Sequence, residues 1–458
     1  MQKLSQHPGT HIRDAYKFLM QNYHDGDRIC LLGFSRGAYT IRCLAGMLHK
    51  VGLLPASNGS QVQFAYDFYK DDSDEGYKMS EEFKKTFCTE VDVWFMGLFD
   101  CVASVGFIPR TLPFTASPTN SIHYFRHAMA LDERRAKFKP LQWEQQKLDL
   151  KRRKTIDNTP KGIYKRLFES DIDALLDLVF KIILTVIAFF TGIRGDAIKK
   201  DKPQNGMNGT MVNGVDGPEH SNMDDQFKAQ AEANERRRDF ETDVKEVWFL
   251  GAHADVGGGA MGNECRHMLS RIPLRWMLRQ CFECDTGILF DTARLAEQGL
   301  DVVTMWPEYK EPTKPVVGPQ PELVEKYKKK TLAPLSRRSV FLPIGPENTI
   351  VDAPTTEDLS YILPSESTED YFDAMAQIND QLVQAKGWWI LEFWPIVVRV
   401  LAKSGDHWER KISLNRGRYR AVRDSDPRMH WTVGHQVKEG QYTIRARTDG
   451  YAIWEEVA

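Results

Sequence analysis

The sequence predicts an α/β protein. A mostly parallel sheet with flanking helices is expected, interrupted by a helical and disordered insertion and followed by a mixed C-terminal region. Three stretches carry this expectation. Residues 28–32, 91–99 and 247–251 are short, almost continuously apolar runs, the pattern of strands covered on both faces. Each leads to a residue able to do chemistry: Ser35, Asp100 and His253. The first run passes through Gly33-Phe34-Ser35-Arg36-Gly37 into Ala38, Ile41, Leu44, Ala45 and Leu48 at helical spacing. Strand, sharp turn and helix follow without a break.

Taken in order, residues 10–24 read as a helix with Ile12, Tyr16, Phe18 and Leu19 on its apolar side, ended by Asp25-Gly26-Asp27. The turn after the first strand matches Gly-x-Ser-x-Gly, a serine on a strand-to-helix elbow. The glycines leave room for strand and helix to approach. The first helical N–H, that of Arg36, points to where a carbonyl oxygen under attack would lie. A plain βα turn with a capping serine is the alternative. Residues 61–70 read as a helix and 71–82, acidic and polar, as a surface loop.

The run from Val91 to Phe99 ends in Asp100, at the strand end where open α/β sheets place ligand and catalytic groups. A turn aspartate capping the next segment is the alternative. Residues 121–135 (SIHYFRHAMALDERR) read as a helix whose charged tail, Asp132 to Arg135, is a solvated face.

An insertion is expected over 136–243. Its residues 172–193 are the most apolar in the chain, with Asp173, Asp177 and Lys181 as the charges. Three readings stand: a membrane-inserted or interfacial helix, a buried or self-associating helix, and a transmembrane span. The last wants about 20 apolar residues. Residues 195–240 are rich in Gly, Asn, Asp and Lys and read as a disordered linker.

The buried run Val247 to Gly251 returns to the sheet and enters Ala252-His253-Ala254-Asp255-Val256-Gly257-Gly258-Gly259. A histidine there can reach a neighbouring nucleophile. A packed core histidine and a His253-x-Asp255 metal pair are the alternatives, and nothing nearby supplies a third ligand. Residues 264–283 and 373–383 read as helices. Residues 387–398 are a second apolar stretch, whose tryptophans suit a bilayer interface, a core strand or a lid. Residues 441–446 alternate as β structure, pairing with Trp431-Thr432-Val433. The organisation expected is 1–135 for the first part of the sheet domain, 136–243 for the insertion, 244–300 for the return and 301–458 for the C-terminal region.

Composition narrows the function. The 458 residues are 42% hydrophobic and 27% charged with a net charge of −2, so no basic footprint argues for nucleic acid. Of seven cysteines, Cys281 and Cys284 form the one close pair. They lack a second pair at zinc-finger spacing. No metal and no other cofactor are expected. Scattered cysteines and an N-terminus without a signal-peptide apolar core suggest a reducing, cytoplasmic location, with membrane association through 172–193.

Ser35, Asp100 and His253 stand in the order serine, acid, histidine that α/β-hydrolases use. His253 would take the proton of Ser35, Asp100 would fix the imidazole, and the Arg36 N–H would serve the oxyanion. The GFSRGAYT turn, the FDCVASVG strand end, the HAMALDERR segment and the WFLGAHADVGGG segment follow one another in this order. With them the chain resembles the α/β-hydrolase family that includes the catalytic domain of bacterial type VI secretion phospholipase effectors. It resembles that family's uncharacterised fungal members most. The resemblance covers residues 10–135 and 244–290. It implies Ser35 as nucleophile, Asp100 as acid and His253 as base, with Asp255 as reserve acid. It also implies ester hydrolysis, with phospholipids as substrates.

Members of that family open with a strand and a Cys/Phe-Asp-Gly-Thr loop. The 34 residues before Ser35 hold no such motif. The expectation is therefore a chain lacking the N-terminal part and the oxyanion donor that part brings, a loss of about 10²–10³ in rate. Two functions follow. One is a serine ester hydrolase, lipase- or phospholipase-like, acting on a lipid or other acyl ester through an acyl-enzyme. The other is a catalytically weak hydrolase-like protein that binds membranes or partners.

Overall fold

The computed structural model describes residues 8–102, 112–113, 121–143, 240–336, 364–402, 408–424, 426–448 and 452–458. The chain divides into two units, Met1–Glu144 with Asn234–Ala458, and Gln145–Ala233. The second unit, with the apolar stretch 172–193, and the polar stretch up to residue 239 lie outside the described residues. Among the described residues no helix is long and apolar enough to cross a membrane.

The chain opens with helix α1 (Pro8–Asn22), strand β1 (Ile29–Phe34) and helix α2 (Arg36–Val51). Helices α3 (Val62–Lys70) and α4 (Asp74–Phe87) precede strand β2 (Val93–Phe99). Strands β3 (Ile122–Ala130) and β4 (Asp243–Phe249) lead to the one-turn helix α5 (His253–Gly257) and to α6 (Arg271–Glu283). Helix α7 (Glu366–Ala374) is followed by the antiparallel pair β5 (Pro395–Leu401) and β6 (Trp408–Leu414). Strand β7 (Arg428–His430), helix α8 (Trp431–Lys438) and strand β8 (Glu455–Val457) close the chain.

Among the described residues, six strands form one sheet in the order β1-β2-β3-β4-β7-β8. Every neighbouring pair in it is parallel. Its two faces take different helices. Met96 and Leu98 of β2 join the apolar cluster that also holds Ile12, Leu44, Val62 and Phe83 from α1 to α4. Phe95 faces the other way, into the cluster of Trp248, Trp276 and Met277. On that face Gly97 matters, because a Cβ there would lie 2.8 Å from Met277 Sδ of α6. With both faces covered, the central strands are apolar throughout rather than alternating. Register sets the strand ends level: Phe34 lies opposite Phe99, and Ala130 opposite Phe249. The residues after β1, β2, β3 and β4 therefore meet along one edge of the sheet.

Several expectations are corrected. Residues 122–130 form β3, not a helix. Their polar members are buried in pairs: Arg126 donates to Gln280 and Asp243, and His127 contacts Glu246. Periodicity alone does not separate a doubly buried strand from a buried helix. The acidic 71–82 loop is mostly α4. Ser73 caps it by accepting from the Gly76 N–H, and Asp74 and Glu75 occupy its first turn, where acidic groups favour a helix. Residues 375–380 are not helical, and α7 ends at Ala374. The helix expected over 264–283 starts at Arg271.

The expected strand at 431–433 is the start of α8, capped by the His430 side chain. Residues 441–446 form no strand. Their alternation reflects Tyr442 and Ile444 laid against the core, beside buried Ala446.

Candidate active site

Each candidate side chain is placed by the end of a buried strand. The β1 ladder runs one step past the strand, with the Ser35 N–H donating to the Phe99 carbonyl at 3.0 Å. The chain then turns into α2 with Ser35 at φ 59° and ψ −122°, a left-handed conformation costly for a residue with a Cβ. Ser35 sits at the N-cap, yet its side chain makes no cap hydrogen bond. The hydroxyl is turned elsewhere, to His253. Arg36 is the first residue of α2, so its N–H lacks an intrahelical acceptor. Ser35 is half-buried, while Arg36 and Gly37 are exposed, so the elbow faces the outside.

The two glycines of the elbow have unequal jobs. A Cβ at Gly33 would fall 2.8 Å from the Ala38 backbone nitrogen, whereas one at Gly37 meets nothing within 4 Å. The close approach of strand and helix thus rests on Gly33 alone. Gly33→Ala should destabilise the fold by about 2 kcal/mol, and Gly37→Ala should change stability by less than about 1 kcal/mol. Thermal melts of the two variants check this.

Asp100 follows β2 at φ 42°. Its N–H donates to the Ala128 carbonyl at 2.7 Å, and the next N–H, of Cys101, donates to His127 Nε2 at 3.1 Å. The carboxylate is fully buried. His253 starts α5, itself nearly buried. His253 Nε2 lies 2.7 Å from Ser35 Oγ, and His253 Nδ1 lies 2.6 Å from Asp100 Oδ2. With Asp100 ionised, Nδ1 carries the proton and donates it, which leaves Nε2 free to accept from the serine hydroxyl. Phe34 and Phe138 hold the imidazole from two sides, each ring centroid 4.7 Å from it. The glycine run after His253 makes room for the first of these: a Cβ at Gly257 would overlap the Phe34 ring.

Sequence reasoning missed the partner of Asp100. Arg420, from the C-terminal region, donates from Nη1 to Oδ1 at 2.5 Å and from Nη2 to Oδ2 at 2.8 Å. Its Nη1 also reaches the Ala130 carbonyl at 2.8 Å, and its Nε reaches the Phe138 carbonyl at 3.0 Å. The Ala130 N–H adds a bond to Asp100 Oδ1 at 3.0 Å. Burial by itself would push the Asp100 carboxyl up. The Arg420 guanidinium, with His253, outweighs it and holds the group well below the usual carboxylate range. Nothing local marks Arg420 in the sequence, since it lies 320 residues from Asp100.

The charged segment after β3 is also not the solvated face expected. Asp132, Glu133 and Arg135 are buried. Asp132 accepts from the Gly251 N–H at 2.9 Å, and Glu133 accepts from the His253 N–H at 3.2 Å. Arg135 in turn neutralises Glu133 at 2.8 Å. These carboxylates fix the turn that presents the imidazole. The signal available was position: charges placed directly after a buried strand.

Asp255 is not brought to the histidine. Its Oδ2 accepts from the N–H groups of Ala252 and Asn379, both at 2.9 Å, and its Oδ1 accepts from Asn379 Nδ2 at 2.6 Å. It ties the turn before α5 to residue 379, which accounts for the carboxylate without a role as acid. Cys281 and Cys284 are buried free thiols, each pushed up to about 12 by burial. Among the described residues no group of His, Cys, Asp and Glu could hold a metal ion. A cavity of about 240 Å³ lined by Arg275, Arg279, Asp370 and His430 contains none of Ser35, Asp100 or His253.

The family model described as "T6SS, Phospholipase effector Tle1-like, catalytic domain" matches residues 2–280. The chain is also similar to an uncharacterised protein of Saccharomyces cerevisiae. The two are 27% identical over 492 aligned residues, which take in 94% of this chain and 67% of that protein. No solved structure gives a significant match.

Proposed function

The chain belongs to the family of the Tle1-like phospholipase effector catalytic domain, and from that premise we propose that it is a serine ester hydrolase with a lipid or other acyl ester as substrate. The reading places it among lipase- and phospholipase-like α/β-hydrolases. The observation that carries it is the unbroken line from Ser35 Oγ to His253 Nε2 at 2.7 Å and from His253 Nδ1 to Asp100 at 2.6 Å.

The steps follow from that line. Ser35 Oγ attacks the ester carbonyl carbon as its proton passes to His253 Nε2. The imidazolium so formed is stabilised by the ionised Asp100. The carbonyl oxygen becomes an oxyanion in front of α2, where the Arg36 N–H is aimed by its place at the first helical position. Collapse of the intermediate breaks the bond to the alcohol, which leaves with the proton from His253. Water then attacks the acyl-Ser35 ester by the same route, releasing the acid and restoring the serine.

The two carboxylates separate this reading from its rival within the motif. Asp100→Asn should lower kcat by about 10⁴-fold, because the imidazole loses its correct tautomer. Asp255→Asn should keep at least about a tenth of the activity, because that group holds backbone rather than imidazole. Hydrolysis of a chromogenic short-chain ester by both variants decides it, and the reverse ranking would move the acid role to Asp255.

A further inference from the structure

The turn that sets Asp100 is held by a second pair of histidine and carboxylate. Asp100 leaves β2 at φ 42°, a left-handed conformation that a residue with a Cβ keeps only where its surroundings enforce it. The N–H that follows, of buried Cys101, donates to a side chain rather than to a strand carbonyl. Its acceptor is His127 Nε2 at 3.1 Å, and His127 is fully buried in β3.

That contact fixes the protons of His127. A backbone N–H can only donate, so Nε2 is bare and accepts. The ring proton is then on Nδ1, which lies 2.9 Å from Glu246 Oε1 of β4 and donates to it. The same carboxylate oxygen accepts from the Trp143 N–H at 3.0 Å.

The other side of the Cys101 residue is tied down as well. Its carbonyl accepts from the Leu141 N–H at 2.9 Å. A few residues before Leu141 stands Phe138, whose ring packs on His253 and whose carbonyl accepts from Arg420. His127 and Glu246 thus hold, from β3 and β4, the backbone on which the acid and one wall of the imidazole site are mounted.

We propose that His127 is a positioning residue for the candidate acid. With its proton kept on Nδ1 by Glu246, it anchors the peptide between Asp100 and Cys101 and so keeps the Asp100 carboxylate aimed at His253 Nδ1. The inference rests on the hydrolase reading for its effect on rate. The hydrogen bonds it invokes stand apart from that reading.

Two amide variants of the full chain separate the two ends of the ring. The side chain in His127→Gln extends to the place of Nε2 and can accept from Cys101. The shorter one in His127→Asn extends only to the place of Nδ1 and can donate to Glu246. Thermal melts record the stability of both. On a short-chain ester, kcat should fall by about 10²-fold in His127→Asn with KM unchanged. In His127→Gln it should stay within about tenfold of wild type.

Two magnetic resonance readings need no hydrolysis. In the wild-type chain, the imidazole nitrogens whose signals vanish in both variants should show a bare Nε2 and a protonated Nδ1. The hydrogen-bonded proton on His253 Nδ1 should move upfield in His127→Asn and hold its place in His127→Gln. Equal losses of kcat in the two variants would make His127 a packing residue, and a protonated Nε2 would remove the bond itself. Either result overturns the proposal. If His127→Asn does not fold, the wild-type ring signals and the His127→Gln rate decide. If the wild-type chain hydrolyses no ester while the His253 proton responds as expected, the reading of Ser35 fails and the positioning of Asp100 stands.

Discussion

Ser35→Ala should lower kcat on a short-chain ester by at least about 10⁴-fold with little change in KM. In the proposed mechanism this hydroxyl forms the new bond, and among the described residues the hydroxyl in contact with His253 Nε2 is Ser35 Oγ at 2.7 Å. The fold should survive. Alanine keeps the Cβ, so the φ of 59° at this position costs what it did before. The lost hydrogen bond accounts for about 1 kcal/mol. Stability should therefore shift by a small amount while activity disappears. A variant that unfolds would instead mark Ser35 as structural. A folded variant that keeps more than about a hundredth of the wild-type rate would contradict the nucleophile assignment.

Arg420→Gln should be nearly as damaging, by a different route. It removes the bidentate partner of a fully buried carboxylate and leaves Asp100 with His253 and the Ala130 N–H. Breaking such a pair by deleting one partner costs about 3–5 kcal/mol. Catalysis should fall by about 10²-fold in kcat rather than in KM, since the imidazole loses its fixed orientation. Arg420→Lys should recover part of both, as a point charge without the fork.

The pH dependence carries a sign. Arg420 holds the folded-state pKa of Asp100 below its unfolded value of about 3.9. Asp100 thus contributes stability that is complete above that unfolded value and is lost as pH falls through the folded one. In Arg420→Gln the depression goes. The stability gap between wild type and variant should be widest above about pH 4 and should narrow below it. Denaturant unfolding across pH 2–7 reads this directly. A gap that stays constant into acid would show that Arg420 acts through packing rather than through the charge of Asp100.

Much of this arrangement could be read from the sequence, and the reason is physical. Strands covered on both faces lose their alternation and become apolar runs, so β1, β2 and the end of β4 stood out, and the first polar residues after them were Ser35, Asp100 and His253. The strand β3 obeys the same rule but hid it. His123, Arg126 and His127 gave Ile122–Ala130 the look of an amphipathic helix. Arg126 is buried against Gln280 and Asp243, and His127 against Glu246 and the Cys101 N–H. Polar groups that find partners inside a sheet do not show themselves in a hydrophobic pattern.

The same limit hid the supports of the site. Asp132 to Arg135 looked like surface because charges usually are, yet Asp132 and Glu133 accept from the Gly251 and His253 N–H groups, and Arg135 pairs with Glu133. Arg420 belongs to a region with no readable periodicity and lies beyond the residues that the family model matches. It reaches Asp100 from the segment between β6 and β7, which is held by the backbone pairing of Ala421 with Arg447. The C-terminal region is therefore part of the site.

The most direct measurement is the map of covalent labelling by a fluorophosphonate probe, read by mass spectrometry on the folded full chain and on His253→Ala. An activated serine nucleophile should give one adduct, on Ser35, that forms at least about 10³ times more slowly when the histidine is absent. An adduct on another residue, or labelling of Ser35 at the same rate in both proteins, would contradict the triad.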